Sequence, residues 1–408
     1  MKARRIVAAA VTAAAAAATL ATPAQAVSFN PVPVATDKEL HLPAGYRYQI
    51  LMEEDDPTSD GQRFGGMADL TVYLPIYGSE LGRLWVNHET TPGGGSLLTV
   101  ARNADGTWTV LHSERVDFSA AGGTWNNCAG NVTPWGTVLI AEEYPPQDVK
   151  EIPAGLAANP KLYGWMVEFD PVTRQVRKHF SMGRFSHEGA VVMPDRRTVY
   201  MGDDFRGGLI FKFVADREGD LSSGQLYALD ARNRRWIEIP RDPAALGDAR
   251  RYGLEHGATP FNRPEEIEYN PKDGMLYFAE TGDNKKQGVE KYGRIWKLNP
   301  QTLELTPFVD GGPGTGLFNP DNLAVDGEGN LWIFEDKYEE FMPPAGAQYG
   351  NNHVWVADRT RKLKRFATIP LGAEGTGPFF TPDYKTLFFS IQHPDAPWRS
   401  SVVAVTGF

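Results

Sequence analysis

Short bursts of β-branched and aromatic residues, broken by Gly, Pro, Asn and Asp, dominate this chain, and the three-and-four spacing of an amphipathic helix is scarce. The pattern predicts an all-β fold without long helices. A diffuse repeat runs through it: a short strand, a tight turn, then a second apolar strand that ends in acidic or amide residues. Residues 188–204, 265–280 and 321–336 align closely, 128–143 and 377–392 more loosely. A sixth copy, from 65–73 to 84–89, is the loosest.

The anchors at 128, 188, 265, 321 and 377 lie 60, 77, 56 and 56 residues apart, the scale of one propeller blade plus a variable loop. Six copies predict an all-β, six-bladed β-propeller. Asp273-Gly274 and Asp326-Gly327 fall where tight hairpins are needed. The stretch 326–330 faintly resembles a calcium loop, but its spacing is not that of an EF-hand and it reads as a hairpin turn. Residues 27–60 read as an irregular lead-in and 216–260 as a solvated insertion. No linker divides residues 27–408, which read as one domain.

The innermost strand of a propeller blade runs along the central channel, so equivalent positions in successive blades face one another. Here that position is Cys128, Glu188, Glu265 and Asp321, with Gly377 as the exception. Polar groups at a core-like phase are costly unless something pairs with them, and a cluster of multivalent cations is the simplest partner. The second strands end in Asn87, His88 and Glu89; Glu142 and Glu143; Asp203 and Asp204; Asp283 and Asn284; Glu335 and Asp336; Gln392 and His393. These form a second candidate ring, or strand ends that face water. Arg263 lies two residues from Glu265, suited to clamp a phosphate or to make a plain ion pair. His88 and His187 each precede a Glu, as ligands, general acids, phosphate contacts or ordinary packing.

Composition sharpens the picture. The first 26 residues carry Lys2, Arg4 and Arg5, an Ala/Val run and a small-x-small ending at Ala24 to Ala26, which reads as a cleavable signal peptide. Arg4-Arg5 is part of a twin-arginine pattern, so the expected place is secreted, periplasmic or cell-surface, with no membrane span after cleavage. Losing those three cations makes the formal charge of −10 more negative still, which argues against nucleic acid as a partner. The one cysteine, Cys128, allows no internal disulfide and is either buried and inert or held by a metal.

The chain resembles the PhoX-type alkaline phosphatase family, once catalogued as a domain of unknown function. The resemblance runs through residues 87–89, 127–130, 133–137 with 142–143, 183–188, 263–265, 319–321, and 376–378 with 392–394. It implies a propeller holding a mixed iron and calcium cluster and acting on small phosphomonoesters, sometimes diesters. It implies Cys128 as an iron ligand, and Glu89, Glu143, Glu188, Glu265 and Asp321 as ligands of iron or calcium. Asn87 and Arg263 would contact the phosphate, with His187 beside it as a further substrate contact, in a protein expected to be a monomer. The chain is short for the family, a six-bladed β-propeller with reduced blade insertions, and Asn322 and Asp395 stand where the family usually has glycine, departures that bear on substrate preference. The competing readings are a calcium-dependent lactonase or sugar-ester hydrolase, which has no use for a thiolate, and a non-catalytic binding propeller.

Overall fold

The computed structural model describes residues 28–408. The proposed signal segment therefore lies outside the described residues. Six antiparallel sheets of four or five strands stand around one axis. Blades 1 to 5 begin with the innermost strands Ala68–Tyr77, Asn127–Val132, His187–Val192, Pro264–Asn270 and Pro320–Val325, and blade 6 with Glu374–Phe380. Each innermost strand packs against the next, and the sixth closes on the first.

Every blade carries the same irregularity near its start. In blades 1 to 5 the register slips immediately after the first pair of the two inner strands, between Ala68 and Thr71, Asn127 and Gly130, His187 and Ala190, Pro264 and Ile267, and Pro320 and Leu323; in blade 6 it slips after the third pair, between Thr376 and Phe379. A bulge lets two adjacent residues escape the strict alternation of the pleat. The residue that opens each bulge is the repeat anchor at Cys128, Glu188, Glu265, Asp321 and Gly377, and Asp69 takes the same place in blade 1, so five of the six bulges set a side chain at the same height.

The lead-in holds more structure than expected. Arg47–Glu53 forms the outer strand of blade 6 by pairing with Ser401–Thr406, so the first blade-forming strand and the last lie in one sheet. Nor is 216–260 a solvated insertion: Asp220–Asp230 and Arg235–Ile239 are the outer strands of blade 3. Two short helices, Pro243–Leu246 and Ala249–Glu255, then pack Ala245 and Ala249 into its core. Their exposed positions carry Ser222, Ser223, Arg235 and Glu238, which hid them among polar sequence. The 326–330 stretch is a hairpin turn, its Asp326 side chain accepting the backbone N–H groups of Glu328 and Asn330.

Buried apolar side chains fill the spaces between neighbouring blades. Phe185, Phe211 and Met201 sit in one such layer, Trp332, Phe366 and Phe389 in another. No helix among the described residues is long and apolar enough to cross a membrane.

Candidate metal centre

At the end of the channel where the innermost strands begin, five of the six bulge residues line a cup of about 180 Å³. Asp69, Cys128, Glu188, Glu265 and Asp321 all line it, each the second residue of its strand. The second inner strands of four blades supply the next row. Glu89, Glu143, Asp204 and Asp336 each directly follow such a strand and point inward. Their backbones are fixed from the chain just ahead of the first strand: the N–H groups of Glu89, Glu143, Asp204 and Asp336 donate to the carbonyls of Met67, Asn126, Ser186 and Asn319. Met67, Asn126 and Asn319 hold left-handed backbone at φ 48°, 37° and 46°. Such strain outside glycine persists only where surrounding contacts impose it, and here it aims the row above into the cup.

The paired acids at the strand ends therefore have separate tasks. The first of each pair is a staple. Glu142 accepts the backbone N–H groups of Trp125, Gly164 and Trp165 and pairs with Lys178. Asp203 takes both arms of Arg250, and Glu335 takes Phe318 N–H, the Trp355 indole and His353. Only the second acid enters the cup. In blade 4 the sequence expectation of Asp283 and Asn284 was displaced by three residues: Glu280 is the staple there, accepting from Asn262 N–H and Trp296, and Thr281 follows it.

Blade 6 breaks the pattern, since Gly377 has no side chain to offer. Glu374, three residues earlier, supplies the carboxylate instead, and Gln392 donates to both Asp69 and Glu89. Asn322 accounts for its departure from glycine: its side-chain oxygen accepts Gly377 N–H at 2.6 Å and the Thr376 hydroxyl, while its amide donates to Asp321 at 2.8 Å. It thus ties blade 5 to blade 6 beneath the cup.

Five groups of three donors occur here, each with ligand atoms within 4.8 Å of one another: Asp69, Glu89 and Cys128; Cys128, Glu143 and Glu188; Glu143, Asp204 and Glu265; Glu188, Glu265 and Asp321; Asp321, Asp336 and Glu374. Successive groups share members and make one continuous cluster. The electrostatics show what this costs without cations. Burial pushes Asp69 up to about 6, Glu89 to about 8 with help from Asp69, and Glu374 to about 7. Burial and mutual repulsion hold Glu143, Glu188 and Asp321 well above the usual carboxylate range. The Cys128 thiol rises through burial and the carboxylates around it. Among the residues lining the cup, Arg263 is the single cation. Burial raises Asp204 too, but the Arg263 guanidinium outweighs it and holds that carboxyl below its ordinary value.

Cations fit this donor set. Buried carboxylates at this density cannot remain ionised without compensating positive charge. Glu188 Oε2 is buried with no hydrogen-bond partner, as a ligand atom awaiting an ion would be. A soft thiolate beside hard carboxylates suits a transition metal on one side and calcium-like ions on the other.

Seven of the nine residues expected at the site come together: Glu89, Cys128, Glu143, Glu188, Arg263, Glu265 and Asp321. The other two lie behind the wall. Asn87 is fully buried, donating its amide to the carbonyls of Cys128 and Ala129 and accepting from Trp85 at 2.7 Å. Its amide is consumed in holding the Cys128 backbone rather than facing the cup. His187 is also buried, stacked 3.6 Å from Phe185 and bonded to Gly183 O at 2.8 Å. It precedes the bulge, so the pleat turns it into the blade while Glu188 faces the axis. His88 likewise bonds Ser96 and Gly66 O and takes the staple position of blade 1. Sequence reasoning missed Asp69, Glu374 and Tyr144 as cup residues. Asp69 stood within the loosest repeat copy, and alignment on the bulge position would have found it.

Fold and site together define a propeller enzyme that hydrolyses phosphoesters with the help of metal ions. The chain belongs to the alkaline phosphatase PhoX family, whose model matches residues 27–105 and 98–395. It is similar to Pseudomonas fluorescens PhoX, solved in complex with vanadate, a transition-state analogue. The two are 26% identical with a TM-score of 0.77, the match covering 93% of this chain and 97% of the other. A gluconolactonase from Xanthomonas campestris is 13% identical over 92% of this chain and 98% of its own, with a TM-score of 0.45. The calcium-binding regucalcin from Agrobacterium tumefaciens is 14% identical over 88% and 96%, with a TM-score of 0.42. No curated protein matches the chain.

Proposed function

We propose that this protein hydrolyses small phosphomonoesters in the axial cup, with iron held on the Cys128 side and calcium among the carboxylates. The carrying observation is the cup itself: nine carboxylates and one thiol converge there with one guanidinium. Cys128, Glu89, Glu143 and Glu188 supply the donors for iron, and Glu188, Glu265 and Asp321 with Asp336 and Glu374 those for calcium. Bound cations would neutralise the charge that develops on the phosphoryl oxygens. The chain's own part is to orient. Arg263, fixed by Asp204 and Glu265, is the group suited to hold a phosphoryl oxygen beside the cluster. Asn87 fixes the Cys128 backbone and so the direction of its sulfur.

The similarity to a PhoX protein solved with vanadate supports a phosphoryl substrate. The thiol in the cup favours this reading over a calcium-only lactonase. Residues 27–408 form one domain in this proposal, a monomer exported behind a signal segment at 1–26. Expression with that segment, measurement of bound iron and calcium, and assay of a chromogenic phosphomonoester before and after chelation test it together. Activity abolished by chelation is the expected result. A metal-free protein, or turnover indifferent to chelation, rejects it.

A further inference from the structure

Tyr144 lies at the lip of the cup and belongs to neither ring of ligands. Its backbone is held at φ 41°, a left-handed conformation unusual outside glycine, and two neighbours enforce it. Tyr144 N–H donates to the Ser186 hydroxyl at 2.9 Å, and its carbonyl accepts the Trp125 indole N–H at 3.0 Å. The side chain thus projects from blade 2 towards blade 3, where its hydroxyl donates to Asp204 Oδ2. Asp204 in turn grips Arg263 with both oxygens, at 2.8 Å to Nε and 3.0 Å to Nη2. Beyond Arg263 stands Tyr338, its ring 6.0 Å from the guanidinium carbon and its hydroxyl donated to Gly282 O at 2.8 Å.

Asp204 has two possible employers. One of its oxygens also lies within 4.8 Å of donor oxygens of Glu143 and Glu265, close enough for the three to share a cation, so it can turn to a cation or remain on Arg263. We propose that Tyr144 is a positioning residue which locks Asp204 onto Arg263 and thereby holds the guanidinium ready for the phosphoryl group. The inference rests on the phosphoester reading above and goes beyond it, because nothing in the ligand set requires a tyrosine. A bidentate clamp needs a fixed fork, and a carboxylate pinned by a third group supplies that fixity.

The test is Tyr144→Phe in the metal-loaded protein, which keeps the ring and removes only the hydroxyl. Because Arg263 would hold the phosphoryl group in both ground and transition states, the loss falls on binding. KM for a chromogenic phosphomonoester and the dissociation constant for inorganic phosphate should both rise about tenfold, as befits one hydrogen bond to a charged group. kcat should change by less than about threefold on the same reasoning, with iron and calcium content unchanged. The double variant with Arg263→Ala distinguishes positioning from local structure: phosphate affinity should be no weaker than in Arg263→Ala alone. Additive losses, an unchanged phosphate affinity, or loss of metal in Tyr144→Phe would overturn the proposal. Wild-type protein that neither binds phosphate nor turns over the ester would instead overturn the phosphoester reading.

Discussion

Lys178 donates to Glu142 at 2.7 Å in a pair withdrawn from solvent, and that contact leaves the adjoining Glu143 alone to face the cup. Two neighbouring glutamates thus have opposite roles, one holding blade 2 together and the other offering an oxygen to a cation.

Substitution should separate them. Glu142→Ala strands a buried ammonium and three backbone N–H groups and should cost about 3–5 kcal/mol of stability. Glu143→Gln should lower metal content and activity by at least about tenfold, while the chelated variant melts no lower than chelated wild type, because without cations burial and neighbouring carboxylates already hold Glu143 towards its neutral form, which Gln mimics. Paired thermal melts and metal analysis check both; equal destabilisation by the two changes would contradict the division of roles.

Cys128→Ser should lower iron content and turnover together, since a hydroxyl is a poor replacement for a thiolate towards a transition metal. The Cys128 sulfur sits 3.5 Å from Asp69 Oδ2, so calcium bound by the other carboxylates should fall less. Elemental analysis of the purified variant decides this, and normal iron with normal turnover would count against the cluster.

Cation binding should be coupled to protons. Asp69, Glu89 and Glu374, raised to about 6, 8 and 7 in the cation-free protein, are protonated below those values and must release their protons to become ligands. Affinity for the cluster's cations should therefore rise from pH 6 to pH 8, with proton release largest at the acid end. Calorimetric titration in buffers of different ionisation enthalpy measures it. Proton-neutral binding at pH 6 would show that these carboxyls are not ligands.

Asn322→Ala removes the bridge between blades 5 and 6 and leaves Gly377 N–H without its 2.6 Å partner. A loss of about 1–3 kcal/mol is expected from the unsatisfied buried groups, read from denaturant unfolding. Asn322→Gly should be as costly, because glycine restores no acceptor.

Much of the fold was legible because the repeat joins a hydrophobic pattern to a polar anchor, and the bulge after that anchor is the same in all six blades. Cys128, Glu188, Glu265 and Asp321 could be placed together for that reason alone. Glu374 could not, since blade 6 has Gly377 at the anchor and supplies its acid from three residues earlier, outside any period. Asn87 and His187 were misplaced because adjacency in sequence does not tell which side of the pleat a residue takes. Arg47–Glu53 resembles no other copy; it is an outer strand recruited across the whole chain, visible only in its pairing with Ser401–Thr406.

That pairing has a consequence for how the protein comes into being. Each blade contributes to a single cluster, and the last blade is finished by a segment some 350 residues distant from its partner. The coordination sphere therefore cannot pre-exist in any fragment made early in synthesis, and loading with ions must wait for the two ends to find each other, a slow search by the logic of non-local contacts.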